Sequence, residues 1–176
     1  MKNLYFLLVL SLVSCMNNSS DKTPEEQQKD QLTTFYFIRH AEKAVDQGRD
    51  PELTEAGKNR ASQWVNYFFI KDVDHVISSD FKRTRETAAP LARSKKLPVE
   101  LYDVSKVDGV SLLETYRGKT VALYGHSNTI NVYANALQKD SIYKELEESD
   151  YNHFFIVRVD KDGNSNATKE SMDFME

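Results

Sequence analysis

TTFYFIRHAEKAV, residues 33–45, is apolar and β-prone through Phe35, Tyr36, Phe37 and Ile38, then turns abruptly to Arg39-His40. Aromatic and β-branched residues in a short run specify a strand buried in a sheet. An arginine and a histidine at the end of such a strand need anionic or hydrogen-bonding partners unless they are simply solvated. The stretch therefore asks whether other strands end in matching groups.

Further short apolar runs predict strands at 75–78, 99–102, 120–124 and 154–159. Helical spacing separates them. Thr54 caps a first helix carrying Ala61, Trp64, Val65 and Phe68, and a second begins near Phe81 and carries Ala88, Leu91 and Ala92. Windows at 111–116 and 129–137 read as two more. Strands alternating with helices predict a three-layer α/β/α sandwich around a mostly parallel sheet. In such sheets ligands collect beyond the carboxyl ends of the strands. The 34–38 strand ends on Arg39-His40, HVISS runs into Asp80 and Arg83, and TVALYG ends on His126. With the strands parallel, two imidazoles and two guanidiniums meet in one crevice. That cluster repels itself unless an anion sits in it, and phosphate or sulfate suits the guanidinium fork.

FIRHAEK resembles the RHG signature of the histidine phosphatase superfamily, the group that includes the phosphoglycerate mutases, with Ala41 in place of glycine. LTEAG (53–57) is similar to the family's LTxxG block, SSDFKRTRETA (78–88) to the block that supplies its second arginine, and GHSNT (125–129) to the block that holds its second histidine. The four occur in family order. The resemblance implies a phosphoglycerate mutase-like fold and His40 as a nucleophile that forms a phosphohistidine. Arg39, Arg83 and His126 would then bind the phosphoryl oxygens. The residues allow the same chemistry: a neutral imidazole attacks phosphorus, and arginines stabilise the charge on the equatorial oxygens. The expected substrate is a small phosphorylated compound, and no metal or cofactor is required.

The leaving group also needs a proton. Phytase-like members carry Asp after the second histidine, where this chain has Ser127. Mutase-like members carry a Glu after the third strand, in a longer insert than the 42 residues that separate Arg83 from His126 here. Asp103, which directly follows the third strand, is the first candidate, with Asp108 and Glu114 as alternatives. Glu42 and Lys43 are placed at the mouth of the site, Glu42 as a substrate-binding residue. Ser79, Asp80 and Ser127 to Thr129 read as helix caps, His75 and His153 as structural histidines, and Trp64, Val65 and Phe68 as core.

The chain has 176 residues and a formal net charge of −4. One domain with a real core is expected, and the lack of a basic stripe argues against nucleic-acid binding. Residues 1–14 have the layout of a secretory signal, with Lys2 ahead of an apolar run at 4–10. Leu12-Val13-Ser14-Cys15 resembles a bacterial lipobox, in which the cysteine is lipidated. The resulting division is a signal peptide at 1–14, a flexible tether at 15–32, the phosphatase domain at 33–160 and a weakly ordered polar tail at 161–176. The resemblance implies an exported lipoprotein anchored to a membrane of the bacterial cell envelope through Cys15. Two other readings are a non-catalytic lipoprotein that keeps the anion pocket, and a metal site on His40, His126 and Glu42. The latter is disfavoured by the adjacent arginines.

Overall fold

The computed structural model describes residues 32–172, so the expected signal, Cys15 and most of the tether lie outside the described residues. Six strands form one sheet: β1 (Thr33–Arg39), β2 (His75–Ser79), β3 (Val99–Tyr102), β4 (Thr120–Gly125), β5 (His153–Val159) and β6 (Ser165–Ser171). Their order is β3-β2-β4-β1-β5-β6. Strands β3, β2, β4 and β1 pair in parallel, and β5 and β6 add antiparallel pairings. Four helices connect or flank them: α1 (Glu55–Tyr67), α2 (Lys82–Lys95), α3 (Gly109–Thr115) and α4 (Ser127–Ala136). No helix among the described residues is long and apolar enough to cross a membrane.

The three layers follow from the alternation within β1. Tyr36 and Ile38 point to one face, where they pack with Trp64 and Phe68 of the α1 region and Ala88, Leu91 and Ala92 of α2. Phe35 and Phe37 point to the other face and pack with Leu112 of α3 and Ile130, Tyr133 and Ala134 of α4. A strand covered on both faces reads as a continuous apolar run, which is why β1 shows no polar alternation. The expected α/β/α sandwich is the observed one.

The tail differs from expectation. Residues 165–171 form β6, paired along their length with β5 from His153↔Ser171 to Val159↔Ser165. A turn at Asp160–Asn164 closes the hairpin: the Asp160 carboxylate accepts from the Asp162 and Asn164 amides, and Gly163 takes φ +85°. The sequence SNATKES is polar because β6 is a largely exposed edge strand. Its ladder is made by backbone groups, and polar side chains protect such an edge from further pairing.

The loop after β1 is pinned to the start of α1. The Thr54 amide donates to the Glu42 carbonyl at 2.9 Å, and the Thr54 hydroxyl caps the helix by accepting from the Gly57 amide at 3.1 Å. A Cβ on Gly57 would lie 2.3 Å from the Glu42 carbonyl oxygen. Glycine in the LTEAG block is thus required by the close approach of α1 to the segment that follows His40.

Candidate active site

Register brings the expected cluster together. Arg39 at the end of β1 pairs with Gly125 at the end of β4, and the His40 amide continues the ladder by donating to the Gly125 carbonyl at 2.9 Å. His126 is the next residue along that strand. The two imidazoles lie with ring centroids 5.6 Å apart. Arg83, on the first turn of α2, reaches His126 Nδ1 with Nη2 at 3.4 Å. Arg39, His40, Arg83 and His126 therefore surround one volume, as the three strand ends required.

The tautomer of each histidine is set by its neighbours. His40 Nδ1 lies 2.8 Å from the Ala41 carbonyl. A carbonyl only accepts, so Nδ1 carries the proton and Nε2 keeps a free lone pair. Burial lowers the His40 imidazole to about 3, and His126, Arg39 and Arg83 act in the same direction against the Ala41 hydrogen bond. His126 has the opposite tautomer. Arginine only donates, so Nδ1 facing Arg83 must hold the lone pair and Nε2 the proton. Nε2 then donates to Ser79 Oγ at 3.0 Å, and Ser79 Oγ donates to Thr84 Oγ1 at 3.0 Å. The Thr84 hydroxyl donates in turn to a backbone carbonyl, with Ser79 O at 2.8 Å and Phe81 O at 2.9 Å. Burial, then Arg83, Arg39 and Lys43, lower His126 to about 4. Both rings are neutral at pH 7.

Thr87 fixes the backbone directly after His40. Its hydroxyl accepts from the Ala41 amide at 3.0 Å and donates to the Arg83 carbonyl at 2.6 Å. Arg83 also faces Asp50 at 3.6 Å and stacks over the Phe81 ring at 4.5 Å. Its Nε and Nη1, and Nε of Arg39, are buried and find no hydrogen-bond acceptor among the described residues. A set of buried, unpaired guanidinium N–H groups between two neutral imidazoles is what an anion with several oxygens satisfies.

The segment 147–151, which the sequence did not mark, encloses Arg39. Nη1 donates to the Glu147 carbonyl at 2.8 Å and the Asp150 carbonyl at 3.0 Å, Nη2 donates to Glu148 at 2.9 Å, and the guanidinium lies 4.4 Å from the Tyr151 ring centroid. Glu148 also pairs with Lys43 at 2.7 Å. Ser79, Thr84 and Thr87 were also missed as functional groups. Ser79 does not cap α2, whose N-cap is Phe81, and Thr84 and Thr87 fall inside the SSDFKRTRETA block that named only Arg83. Of the other expected caps, Asp80 instead pairs with Arg85. Ser127 bonds Glu145 at 3.2 Å, while Thr129 does cap the His126 backbone.

Glu42 does not line the site. Its carboxylate is held by Arg60, with Nε at 2.8 and 2.9 Å and Nη2 at 2.7 Å, because the close approach of α1 brings Arg60 to it. The metal set of His40, His126 and Glu42 is therefore not assembled. Asp103 sits beyond β3, as expected, but is turned onto its own loop. It accepts from the Ser105 hydroxyl at 2.6 Å and amide at 2.9 Å and pairs with Lys106 at 3.3 Å. The Ser105 bonds, with Lys106, hold its carboxyl below the usual range, the wrong direction for a proton donor. Asp108 caps α3 through the Ser111 amide at 2.8 Å, and Glu114 is exposed on the same helix. A cleft of about 390 Å³ opens beside the cluster between Asp80, Phe81, Leu101, Tyr102 and Asp103. Phe81, whose ring meets His126 edge-on at 5.0 Å, forms its wall toward the histidines.

The model of the histidine phosphatase superfamily (branch 1) matches residues 35–104, the part that holds Arg39, His40 and Arg83. Comparison with curated protein sequences gave no match. Among solved structures, the chain is similar to the protein histidine phosphatase SixA complexed with tungstate, at 19% identity and TM-score 0.62 over 80% of this chain and 96% of that one. It is similar to a phosphoserine phosphatase from Entamoeba histolytica in complex with 3-phosphoglyceric acid, at 17% identity and TM-score 0.62 over 80% and 98%. A mycobacterial glucosyl-3-phosphoglycerate phosphatase gives 13% identity and TM-score 0.59 over 80% and 97%. At these identities the structural likeness speaks to the fold. The family model, in turn, matches the block that carries Arg39, His40 and Arg83, and over that part the chain is similar to the histidine phosphatase superfamily.

Proposed function

We propose that the protein is a phosphatase that hydrolyses a phosphomonoester or phosphoramidate through a phosphohistidine on His40. The observation that carries this reading is the His40 Nδ1–Ala41 carbonyl hydrogen bond, 2.8 Å, which leaves the Nε2 lone pair of a neutral imidazole beside two arginines. In the first step Nε2 attacks phosphorus, the bond from phosphorus to the leaving group breaks, and the leaving group departs with the electron pair. In the second, water attacks the phosphohistidine, the P–N bond breaks, the pair returns to Nε2 and inorganic phosphate is released. Arg39 and Arg83 hold the phosphoryl oxygens as charge builds on them, while His126 orients Arg83 by accepting from its Nη2.

The leaving group narrows the substrate class. Asp103 is held ionised within its turn, which favours a leaving group that needs no proton from the protein. A phosphorylated imidazole meets that condition: its unsubstituted ring nitrogen is protonated before cleavage, so the departing nitrogen takes the electron pair of the P–N bond and the ring leaves as neutral imidazole. The similarity to a structure described as a protein histidine phosphatase supports the same direction.

His40→Ala tests the mechanism. Loss of a nucleophile costs on the order of a millionfold in rate, while orthophosphate binding should persist on Arg39 and Arg83. Rapid quench of the wild type with a labelled substrate should trap a phosphoenzyme that survives base and is lost in acid. Turnover undiminished in the variant excludes His40 as nucleophile. Binding of phosphate without turnover of any phosphorylated compound by the wild type leaves the anion-binding protein of the same fold as the reading.

We further propose that Cys15 is lipidated and anchors the domain to a membrane of the cell envelope, on the strength of the Leu12-Val13-Ser14-Cys15 block. Mass spectrometry of the mature N-terminus should find a modified cysteine at position 15. An unmodified terminus at another residue rules this out.

A further inference from the structure

The cation cluster already holds an anion, and it belongs to the chain. The two carboxylate oxygens of Glu148 are divided between Arg39 Nη2 at 2.9 Å and Lys43 Nζ at 2.7 Å. The charge of Glu148 is also felt at Arg83. The two contacts differ from the other bonds made by this segment. The Glu147 and Asp150 carbonyls that fill Arg39 Nη1 are backbone groups and cannot leave without moving the chain. Glu148 uses a side chain that is 68% exposed, whereas the Arg39 side chain it meets is 1% exposed. The carboxylate can swing into solvent by rotation of its own torsions, and an exposed ion pair is only weakly held.

The guanidinium it meets is incompletely used. Nη1 is saturated by carbonyls, and Nε is buried and finds no acceptor among the described residues. The edge formed by Nε and Nη2 is thus the side of Arg39 on which an incoming phosphoryl group can be gripped by two parallel bonds. Glu148 occupies one of those two donors.

We propose that Glu148 is an affinity-determining residue: a displaceable internal carboxylate that competes with the phosphoryl group for Arg39 and Lys43. It keeps the buried cations partly neutralised while the site is unliganded, and a ligand must replace its contacts to bind. The replacement favours a terminal phosphoryl group with two charges and three free oxygens. It disfavours weak monoanions, which regain less from Arg39 and Lys43 than the carboxylate gives up. The proposal rests on the phosphate-binding reading of the same site.

The test is calorimetric titration of the full chain with orthophosphate at pH 7.5, comparing wild type, Glu148→Gln and Glu148→Ala. Both substitutions remove the competing charge, and Ala also removes the amide that could still bond Arg39. Glu145→Gln, which makes the same charge change on the same loop, is the control for diffuse electrostatics. We expect orthophosphate to bind both Glu148 variants about two- to fivefold more tightly than wild type, the scale of an exposed ion pair, with Glu145→Gln close to wild type. Chloride, a monoanion, should compete with phosphate more effectively in the Glu148 variants. Unchanged or weaker phosphate binding in Glu148→Gln and Glu148→Ala overturns the proposal and makes Glu148 a support for Arg39. An equal gain in Glu145→Gln also overturns it. If neither wild type nor any variant binds orthophosphate, the phosphate-site reading itself fails. Binding by the wild type with no gain in the Glu148 variants removes only the competitor role.

Discussion

His126 Nε2 and Ser79 Oγ lie 3.0 Å apart, and the direction of that hydrogen bond is fixed from both ends. Arg83 can only donate to Nδ1, and a backbone carbonyl at the far end can only accept from Thr84. Ser79 therefore acts as a positioning residue for the second histidine. Ser79→Ala should release His126 into a mixture of tautomers and lower turnover on the order of tenfold, the equivalent of one lost buried hydrogen bond. The decisive readout is the pair of 15N shifts of His126. In wild type they should report a protonated Nε2 and a bare Nδ1, and in the variant they should move toward each other. Unchanged shifts in Ser79→Ala would show that the hydroxyl does not set the tautomer.

Burial of two neutral histidines makes stability depend on pH in a definite sense. In the unfolded chain each titrates near 6.5, while in the folded protein His40 is lowered to about 3 and His126 to about 4. Between those values the unfolded state binds more protons, so stability is full above about 6.5, declines as pH falls and levels off below the folded values. From pH 7 to pH 5 each histidine should remove on the order of 2 kcal/mol. Urea unfolding of His126→Asn at the two pH values, in phosphate-free buffer, should show a smaller loss than wild type by about that amount. A loss equal to that of wild type would mean that His126 is already charged in the folded protein.

How much of this was legible before the fold was known depends on the kind of signal. Strand β1 could be read because both of its faces are covered, so its aromatic run is unbroken, and Arg39-His40 stood out against that run. Arg83 and His126 could be placed because the parallel strands carry their ends to one edge of the sheet. The interior of the SSDFKRTRETA block was harder. Ser79, Thr84 and Thr87 look like ordinary small polar residues at a helix start, and only the folded chain puts their hydroxyls against His126, each other and the Ala41 amide. Glu148 carried no local pattern at all, since the loop that holds it meets Arg39 across 109 residues of sequence. Strand β6 was missed for another reason. Its backbone does the pairing, its side chains are polar, and the Asp-Gly pair at 162–163 was a hairpin signal left unused. Glu42 lies two residues from His40 in sequence, yet its carboxylate turns away from the site because Arg60 claims it from α1.

Asp103→Asn separates the two accounts of the leaving group. The carboxylate accepts from the Ser105 hydroxyl at 2.6 Å and from its amide at 2.9 Å, and it pairs with Lys106 at 3.3 Å. Each of these contacts stabilises the charged form, so the group is a weak acid donor at neutral pH. An efficient general acid needs a pKa raised toward the working pH, and neither Asp103 nor Asp108, which Ser111 holds below the usual carboxylate range in its capping role, meets that need. The variant should therefore hydrolyse an aryl phosphate and a phosphoramidate within about twofold of wild type, because neither leaving group takes its proton from the protein. Alkyl phosphates should be poor substrates for both proteins, by the same reasoning. The comparison of kcat/KM across the three substrate types in wild type and Asp103→Asn is the measurement. A wild type that cleaves alkyl phosphates well, together with a variant that loses only that activity, would mean that Asp103 leaves its turn when substrate is bound and supplies the proton.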